Sequence, residues 1–363
     1  MNLKTHKKKP FFILVCSSTE LSQIQGISAA GKDSEAQKLT PSLDAEFIAT
    51  GKTISASSLP VSPEGIISPA IISKACLNLL DAEIKIINAG SFQAIKGLDK
   101  KQYFNMNLEP AKNFALEDSF SFSECENIFL NSINLLNKMG FDKKKHELII
   151  AECVVGGTTT ALGLLELLGY QALDLISSSF KNNNKTIKEK VLKSFRQRTK
   201  AVDFSQLENP LYNCAIAGDK AQVVIASLCL SAMQNDTVST LAGGTQMLAI
   251  YALIKKMTEG FFIEDLVKVC TSPWLVNDTN AQALELAKNI DASLELEYLK
   301  DIDALEDLLT KEIAKFSAEQ SSCTYPSWQE IKSLYDQGYV KEGVGMGALL
   351  KILSSYAIQE LTL

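Results

Sequence analysis

A strand, a glycine turn and a helix follow one another within residues 146–169, and this unit constrains the fold most. The apolar run at 148–151 is typical of a strand that is buried on both faces of a parallel sheet. Glycines and threonines occupy 156–160, and leucines at helical spacing follow until Gly169, which suits the position after a helix end. We therefore predict a βα unit with a tight turn at its centre.

The turn of this unit has the composition of an anion site. Its glycines let the backbone approach a ligand, and amide groups at a helix N-terminus offer hydrogen bonds to a phosphate. Glu152 ends the apolar run, so it is expected at the carboxyl end of a strand, where open α/β sheets bind their ligands. An ordinary βα turn with threonine N-caps explains the same residues equally well.

Size and charge limit the classes of function. A chain of 363 residues with 46% hydrophobic content can form one large α/β domain, or a main domain with a smaller lobe. Its formal net charge of −6 argues against a nucleic-acid partner, because phosphate backbones favour a basic surface. A small anionic substrate needs only a local group of donors and stays possible.

Cysteine and histidine usage bears on chemistry and on cellular location. The eight cysteines are scattered without a CxxC pair, which predicts reduced, buried thiols in a cytoplasmic protein. The two histidines, His6 and His146, argue against a zinc site or a serine–histidine triad, so we expect no metal and no cofactor. The apolar run at 10–15 is too short for a secretory signal, and no segment reaches the length of a membrane span.

Short apolar runs alternate with helical patterns along the chain. Such alternation predicts an α/β fold with a mostly parallel sheet and helices on both faces. The segment 223–225 is a weaker strand candidate that is better interpreted as part of a longer helix. Long polar segments at 26–42, 51–68 and 92–119 are predicted to be loops. The predicted strands are Phe11 to Cys16, Ile84 to Asn88, Glu147 to Cys153, Thr237 to Ala242, and Leu266 to Cys270.

Two glutamates lie next to glycine-rich turns, and they are the candidates for acid/base chemistry. The turns contain Gly156-Gly157, Gly243-Gly244, and the alternating glycines of 343–347; none has the spacing of a Walker motif. Glu152 and Glu342 are the carboxylates beside them. A glutamate at a partly buried ligand site has a raised pKa, which suits a general base. Alternatively, Glu342 simply caps the C-terminal helix.

The ordered set of these motifs resembles the nicotinate-nucleotide-dimethylbenzimidazole phosphoribosyltransferase (CobT) family, and most closely its divergent branch. The resemblance spans nearly the whole chain. It is carried by Glu152 with Gly156-Gly157-Thr158-Thr159-Thr160, Leu241-Ala242-Gly243-Gly244-Thr245-Gln246-Met247 and Lys341-Glu342-Gly343-Val344-Gly345, and is supported by Gln25-Gly26-Ile27-Ser28-Ala29-Ala30-Gly31, Ser68-Pro69-Ala70, Asn88-Ala89-Gly90 and Ser177-Ser178-Ser179-Phe180.

The resemblance implies a fold and a reaction. The fold is a Rossmann-like sheet with a small helical lobe drawn from both termini, in one unit over 1–363. The large domain covers about 65–300, the lobe covers about 1–64 and 301–363, and the protein is a homodimer. The reaction moves ribosyl phosphate from nicotinate mononucleotide to a nitrogen base such as dimethylbenzimidazole, adenine or a related azole. It gives an α-ribotide and nicotinate for the lower ligand of a cobamide, without a membrane or nucleic acid.

The same resemblance assigns roles to residues. Glu342 takes the proton of the attacking base, while Glu152 steadies the oxocarbenium-like transition state or binds a ribose hydroxyl. Lys190, or alternatively Lys188, neutralises a carboxylate or phosphate of the substrate. The phosphate and ribose set is Gly156, Gly157, Thr158, Thr159, Ser178, Lys190, Gly243 and Gly244, and the base-binding set is Ser68, Pro69 and Gly343. A second Gly-Ile-Ser sequence at Gly26 competes with Ser68 and Pro69 for that alignment.

Several positions depart from the family pattern and keep other functions open. Ser17-Ser18 replaces an Asp-His pair, Ala242 replaces an aspartate, and 177–179 replaces a Gly-Arg-Gly turn. These changes are compatible with a nucleotide- or azole-binding protein that has lost catalysis, whereas the retained Glu342 argues for catalysis. A different nucleotide-dependent transferase or hydrolase is the other alternative.

Overall fold

The computed structural model describes residues 8–182, 184–200, 209–261, 263–319 and 324–361. Its centre is a seven-stranded sheet in the order β3-β2-β1-β4-β5-β6-β7, and every strand pairing is parallel. The strands are β1 (Lys9–Ser17), β2 (Glu83–Asn88), β3 (Tyr103–Asn105), β4 (His146–Val154), β5 (Ser239–Ala242), β6 (Val267–Thr271) and β7 (Leu296–Tyr298).

Helices cover both faces of the sheet, because alternate side chains of each strand point to opposite faces. One face packs against α3 (Phe122–Ser132), α4 (Leu135–Lys138), α5 (Gly157–Leu167), α6 (Lys185–Thr199), α7 (Pro210–Ala217), α8 (Lys220–Met233), α9 (Thr245–Met257), α10 (Ile263–Leu266) and α12 (Ala283–Ile290). The other face packs against α1 (Ser34–Thr50), α2 (Ala70–Leu79), α13 (Glu306–Glu319), α14 (Trp328–Asp336) and α15 (Met346–Leu361). The short α11 (Pro273–Val276) contributes a side chain to each core.

The central strand β1 shows why the chain forms this sheet. Phe11, Ile13 and Val15 belong to the first core, whereas Phe12 and Leu14 belong to the second. All five side chains are fully buried. A strand with both faces buried needs a continuous apolar run, and that run is the one visible in the sequence.

The predicted α/β fold with a parallel sheet is confirmed, and so are all five predicted strands. Residues 223–225 lie inside α8, as interpreted. The sequence prediction missed β3 and β7, the two edge strands, which have three residues each. The predicted loop at 26–42 is wrong from Ser34 onward, where α1 begins with Asp33 as its N-cap.

The two-lobe division needs one correction. Residues 9–17 form β1 at the centre of the sheet, between β2 and β4, so a small lobe cannot include them. The terminal helices α1, α13, α14 and α15, together with α2, form the helical layer on the second face. The other boundaries of the division stay predictions.

The topology fixes where a ligand site is expected. The strand order reverses between β1 and β4, so the connections from these strands leave in opposite directions. Open α/β sheets bind ligands in the crevice outside the carboxyl ends of the strands at such a switch point. The segments after β1, β4, β5 and β6 therefore meet at one edge of the sheet.

Candidate functional site

A cleft lies at this carboxyl edge, and it brings the three glycine turns together. Its enclosed volume is about 110 Å³. The cleft lies between the end of β4, the turn after β5 and the loop before α15. Ten residues that the sequence singled out line it: Ser68, Pro69, Glu152, Gly156, Gly157, Thr158, Ser178, Gly244, Glu342 and Gly343.

Three predicted site residues do not line the cleft. Lys190 is exposed on α6 and lies outside the cleft wall, which does not fit the substrate contact predicted for it. The alternative, Lys188, is buried on the same helix but does not line the cleft either. Gly243 is buried, and its backbone N–H donates to the Cys270 carbonyl at 3.0 Å. Thr159 is fully buried in the first turn of α5.

Glu342 is half-buried and is held from two sides. Its Oε1 accepts hydrogen bonds from the backbone N–H groups of Gly343 at 2.9 Å and Gly347 at 3.2 Å. Its Oε2 accepts from Thr271 Oγ1 at 3.2 Å. Burial raises the pKa of Glu342 to about 7, although these hydrogen bonds act in the opposite direction. The carboxyl group is therefore positioned to exchange a proton near neutral pH.

The loop that presents Glu342 has an unusual backbone. Val340, Lys341 and Val344 have φ values of 58°, 33° and 53°, in the left-handed region that β-branched residues avoid. Each such residue costs on the order of 1 kcal/mol or more, and is kept only where the surroundings fix it. Gly345 follows with φ 73°, and a Cβ there would lie 2.9 Å from the Ala151 Cβ. The loop is thus packed directly against β4.

A buried ion pair fixes this strained loop. Lys341 Nζ lies 3.0 Å from Asp278 Oδ2, and both side chains are 2% exposed. The same ammonium group donates to the carbonyls of Ser178 at 2.9 Å and Phe180 at 2.7 Å. Ser272 Oγ donates to the Lys341 carbonyl. These contacts tie the loop before α15 to the serine turn at 177–180.

Glu152 lines the cleft near the end of β4, the strand against which the loop of Glu342 packs. It lies in β4, is 5% exposed, and its Oε2 has no hydrogen-bond partner among the described residues. Burial, with the charge of Asp219 and then that of Glu342, raises the pKa of Glu152 to about 8. A buried carboxyl oxygen without a partner is costly in the free protein. A ligand with a hydrogen-bond donor at this position would supply the missing partner.

The turn after β4 has the shape of an anion site. Gly156 precedes α5 with φ 85°, and Gly157 starts the helix beside Gln246. A Cβ on Gly157 would lie 3.2 Å from the Val154 Cβ and 3.3 Å from the Gln246 Cγ. The N–H groups of Thr159 and Thr160 donate to the Gly156 carbonyl, while Gly157 and Thr158, the first residues of the eleven-residue helix α5, line the cleft.

Two buried lysines lie under the serine turn. Lys188 Nζ donates to the Ser177 carbonyl at 2.6 Å, and burial together with the nearby Lys341 lowers the Lys188 pKa to about 7. Burial also lowers the Lys341 pKa, although Asp278 opposes that effect. Asp278 pairs with Lys341 and acts on Lys188 only through its charge, so with Lys188 protonated the two ammonium groups outnumber the one carboxylate and favour an anion at the serine turn.

Sequence reasoning missed Asp44, Lys341 and Asp278. Asp44 lies inside α1, two residues after the segment predicted to be a loop, and Asp278 follows α11. Nothing in their local sequence distinguishes them from solvated acids. Lys341 had a signal, because it directly precedes Glu342 in one of the motifs that carry the resemblance. Among the described residues, no group of three or more His, Cys, Asp or Glu is arranged to hold a metal ion, and no helix is long and apolar enough to cross a membrane.

Comparison with known sequences gives the family. No family model matches the chain. The UPF0284 protein of Thermococcus kodakarensis is 33% identical over 360 residues, which cover 98% of this chain and 95% of the relative. This chain belongs to the UPF0284 family. Its relatives in that family include proteins of Saccharolobus islandicus, 32% identical over 93% of this chain and 85% of the relative, and Metallosphaera sedula, 30% identical over 95% and 88%.

Solved structures share the fold of this UPF0284 protein. The nicotinate-nucleotide-dimethylbenzimidazole phosphoribosyltransferase of Thermus thermophilus matches with a TM-score of 0.57 and 16% identity, over 90% of this chain and 86% of that chain. A second CobT structure from the same organism matches with a TM-score of 0.58. The predicted likeness to the CobT fold is therefore confirmed.

The packing of Gly347 gives a first prediction, for Gly347→Ala. A Cβ at this position would overlap the backbone at Thr271–Ser272 and the Glu342 carboxylate. We expect the substitution to lower the free energy of unfolding by about 3 kcal/mol, because backbone cannot yield as a side chain can. Gly140→Ala is the control: its φ of 81° costs about 1 kcal/mol, and nothing lies within 4 Å. Equal losses in denaturant unfolding would contradict the prediction.

The raised pKa of Glu152 gives a second prediction, for Glu152→Gln. A carboxyl whose pKa is higher in the folded protein stabilises the fold below its unfolded pKa, and this contribution is lost as pH rises from about 4.5 toward 8. The variant lacks this loss. The unfolding free energy of the variant minus that of wild type should therefore increase by on the order of 3 kcal/mol from about pH 5 to about pH 8.

Denaturant unfolding at both pH values measures this difference, and the other titrating groups cancel because they are present in both proteins. Glu295→Gln, at an exposed position, is the matched control and should show no such gain. A Glu152→Gln protein whose stability follows the wild-type pH dependence would show that Glu152 is not perturbed.

Proposed function

We propose that this protein is a phosphoribosyltransferase that moves ribosyl phosphate from nicotinate mononucleotide to a nitrogen base. The products are an α-ribotide and nicotinate, as needed for the lower ligand of a cobamide. The observation that carries the proposal is Glu342, which is half-buried at the cleft wall with its carboxylate fixed by Gly343, Gly347 and Thr271. The fold likeness to enzymes of that activity supports it.

The proposed reaction exchanges one bond for another at the anomeric carbon. A ring nitrogen of the base attacks C1 of the ribose as the bond from C1 to the pyridine nitrogen of nicotinate breaks. The bond's electron pair stays on that nitrogen, which loses its positive charge, so no general acid is needed. Glu342 takes the proton from the other ring nitrogen of the base. A carboxyl with a pKa of about 7 suits this transfer, because it is half ionised at neutral pH.

Glu152 is proposed to hold the ribose. Its Oε2 has no hydrogen-bond partner among the described residues, and at neutral pH its carboxyl is mostly protonated. A protonated carboxyl both donates and accepts, which fits a ribose hydroxyl better than it fits a charged transition state. Of the two roles that the sequence left open, we therefore favour the hydroxyl contact.

The phosphate is proposed to bind at the turn of Gly156, Gly157 and Thr158. The amide groups at the start of α5 supply hydrogen bonds, and Ser178 lies on the same cleft. Lys188 and Lys341 strengthen the positive potential under the serine turn. Their ammonium groups are already bound to protein partners, so they act on a ligand through their charge. Lys188 takes the place that the sequence gave to Lys190. The homodimer implied by the resemblance stays a prediction.

The first test of this proposal is Glu342→Gln. The amide keeps the shape but cannot accept the proton, so kcat should fall by about 10² to 10⁴ while nucleotide binding changes little. Base-dependent release of nicotinate, with the matching α-ribotide followed by chromatography, is the measurement. Glu295→Gln, which changes an exposed glutamate outside the cleft, should retain full activity.

Wild-type turnover in Glu342→Gln would remove the general base from the mechanism. Tight nucleotide binding by the wild-type protein without nicotinate release would contradict the transferase and favour a ligand carrier.

A second test uses pH. Because Glu342 acts in its ionised form, kcat/KM for the base should rise with pH up to about 7, by about tenfold per pH unit on the acidic side, and then level off. The residual activity of Glu342→Gln should be independent of pH over the same range. A wild-type rate that falls through this range would assign Glu342 the role of an acid.

A further inference from the structure

Asp44 is a third buried carboxylate of the cleft, and the proposed mechanism does not use it. It lies inside α1, is 2% exposed and lines the same cleft as Glu152 and Glu342. Its Oδ1 accepts a hydrogen bond from Ser68 Oγ at 2.8 Å. Its Oδ2 accepts from the Cys153 thiol at 3.5 Å, which is a weak contact.

The segment Ser68-Pro69 connects Asp44 to Glu342. Ser68 binds Asp44, while Pro69 packs on the strained loop, since a Cβ on Gly343 would lie 2.8 Å from the Pro69 Cγ. Asp44 and the loop that carries Glu342 therefore lie against the same two-residue segment of the cleft wall.

Tyr335 gives an independent sign that the two carboxyls share one neighbourhood. Its hydroxyl donates to the Ile67 carbonyl at 3.4 Å. Burial raises the pKa of Tyr335, and the charges of Glu342 and Asp44 both add to that effect. The buried Tyr335 ring is thus close enough to Glu342 and Asp44 for both charges to act on it.

The Asp44 carboxyl has unused hydrogen-bonding capacity. An ionised carboxylate offers about four acceptor positions, and the contacts with Ser68 and Cys153 occupy two. Nearby on the cleft wall, Pro60, Ile66 and Ile67 offer apolar surface for the faces of a ring. An apolar group placed against Asp44 would remove the carboxyl from water without replacing the lost hydrogen bonds, which is costly.

We propose that Asp44 is the specificity-determining residue for the acceptor base, and that it selects a base with a hydrogen-bond donor on its six-membered ring. This inference rests on the proposed function. With the imidazole nitrogens directed to Glu342, the exocyclic amine of adenine donates to Asp44. Dimethylbenzimidazole instead presents methyl groups at that end. The site therefore favours an aminopurine over an alkylated benzimidazole.

The test compares adenine and dimethylbenzimidazole as acceptors and as ligands. Wild type, Asp44→Leu and Asp44→Asn are assayed for kcat/KM with each base, and for binding of each free base by calorimetry. Wild type should prefer adenine at least about tenfold. Asp44→Leu, an apolar residue of similar size, should lower kcat/KM for adenine by about tenfold or more and leave that for dimethylbenzimidazole unchanged or higher. Asp44→Asn should lie between them.

The control is Glu35→Gln, on the same helix but with a side chain 78% exposed, and it should keep the wild-type ratio of the two bases. If Asp44→Leu does not fold, Asp44→Asn and the wild-type preference still decide the question. A wild-type preference for dimethylbenzimidazole, or equal losses with both bases in the Asp44 variants, would overturn the inference while leaving the transferase intact. Absence of turnover with both bases would contradict the proposed function but not the role of Asp44. That role is still tested by the ratio of the affinities for free adenine and free dimethylbenzimidazole.

Discussion

The buried contact between Lys341 and Asp278 is the interaction on which the candidate site depends. Removing two charges from water is costly, and the pair is stable only because the lysine also binds the carbonyls of Ser178 and Phe180. With these partners the ammonium group fixes a loop whose backbone is otherwise unfavourable at Val340 and Val344. The consequence is that Glu342 is held at the carboxyl edge of the sheet.

The cleft combines acidic and basic groups in an environment with little water. Glu342, Glu152 and Asp44 have pKa values raised to about 7, 8 and 7, chiefly by burial. On the opposite side, burial lowers the pKa of Lys188 to about 7. Groups that titrate this close to neutrality exchange protons readily, and they are concentrated where ligands of α/β proteins bind. This distribution agrees with proton transfer at Glu342 and anion binding under the serine turn.

The sequence predicted the interior of the fold better than its edges. Strands β1 and β4 are buried on both faces, so their apolar runs are long and unambiguous. Strands β3 and β7 lie at the two edges and have three residues each, so they lack such a signal. Helix α1 was missed up to residue 42 because Pro41 and many polar residues lie in it, although most of its middle is buried. Its Glu46, for example, accepts hydrogen bonds from the backbone of Ile54 and Ser55.

The sequence by itself determined the parallel α/β architecture and the two glutamates beside glycine turns, because hydrophobic period and turn composition are local properties. Tertiary structure alone decided which polar residues join them. Asp44 and Lys341 line the cleft and Asp278 pairs with Lys341, although the three residues come from segments far apart in the chain. Packing alone likewise decided that Lys188 is buried and Lys190 exposed, since two residues along α6 rotate a side chain from the core to the solvent.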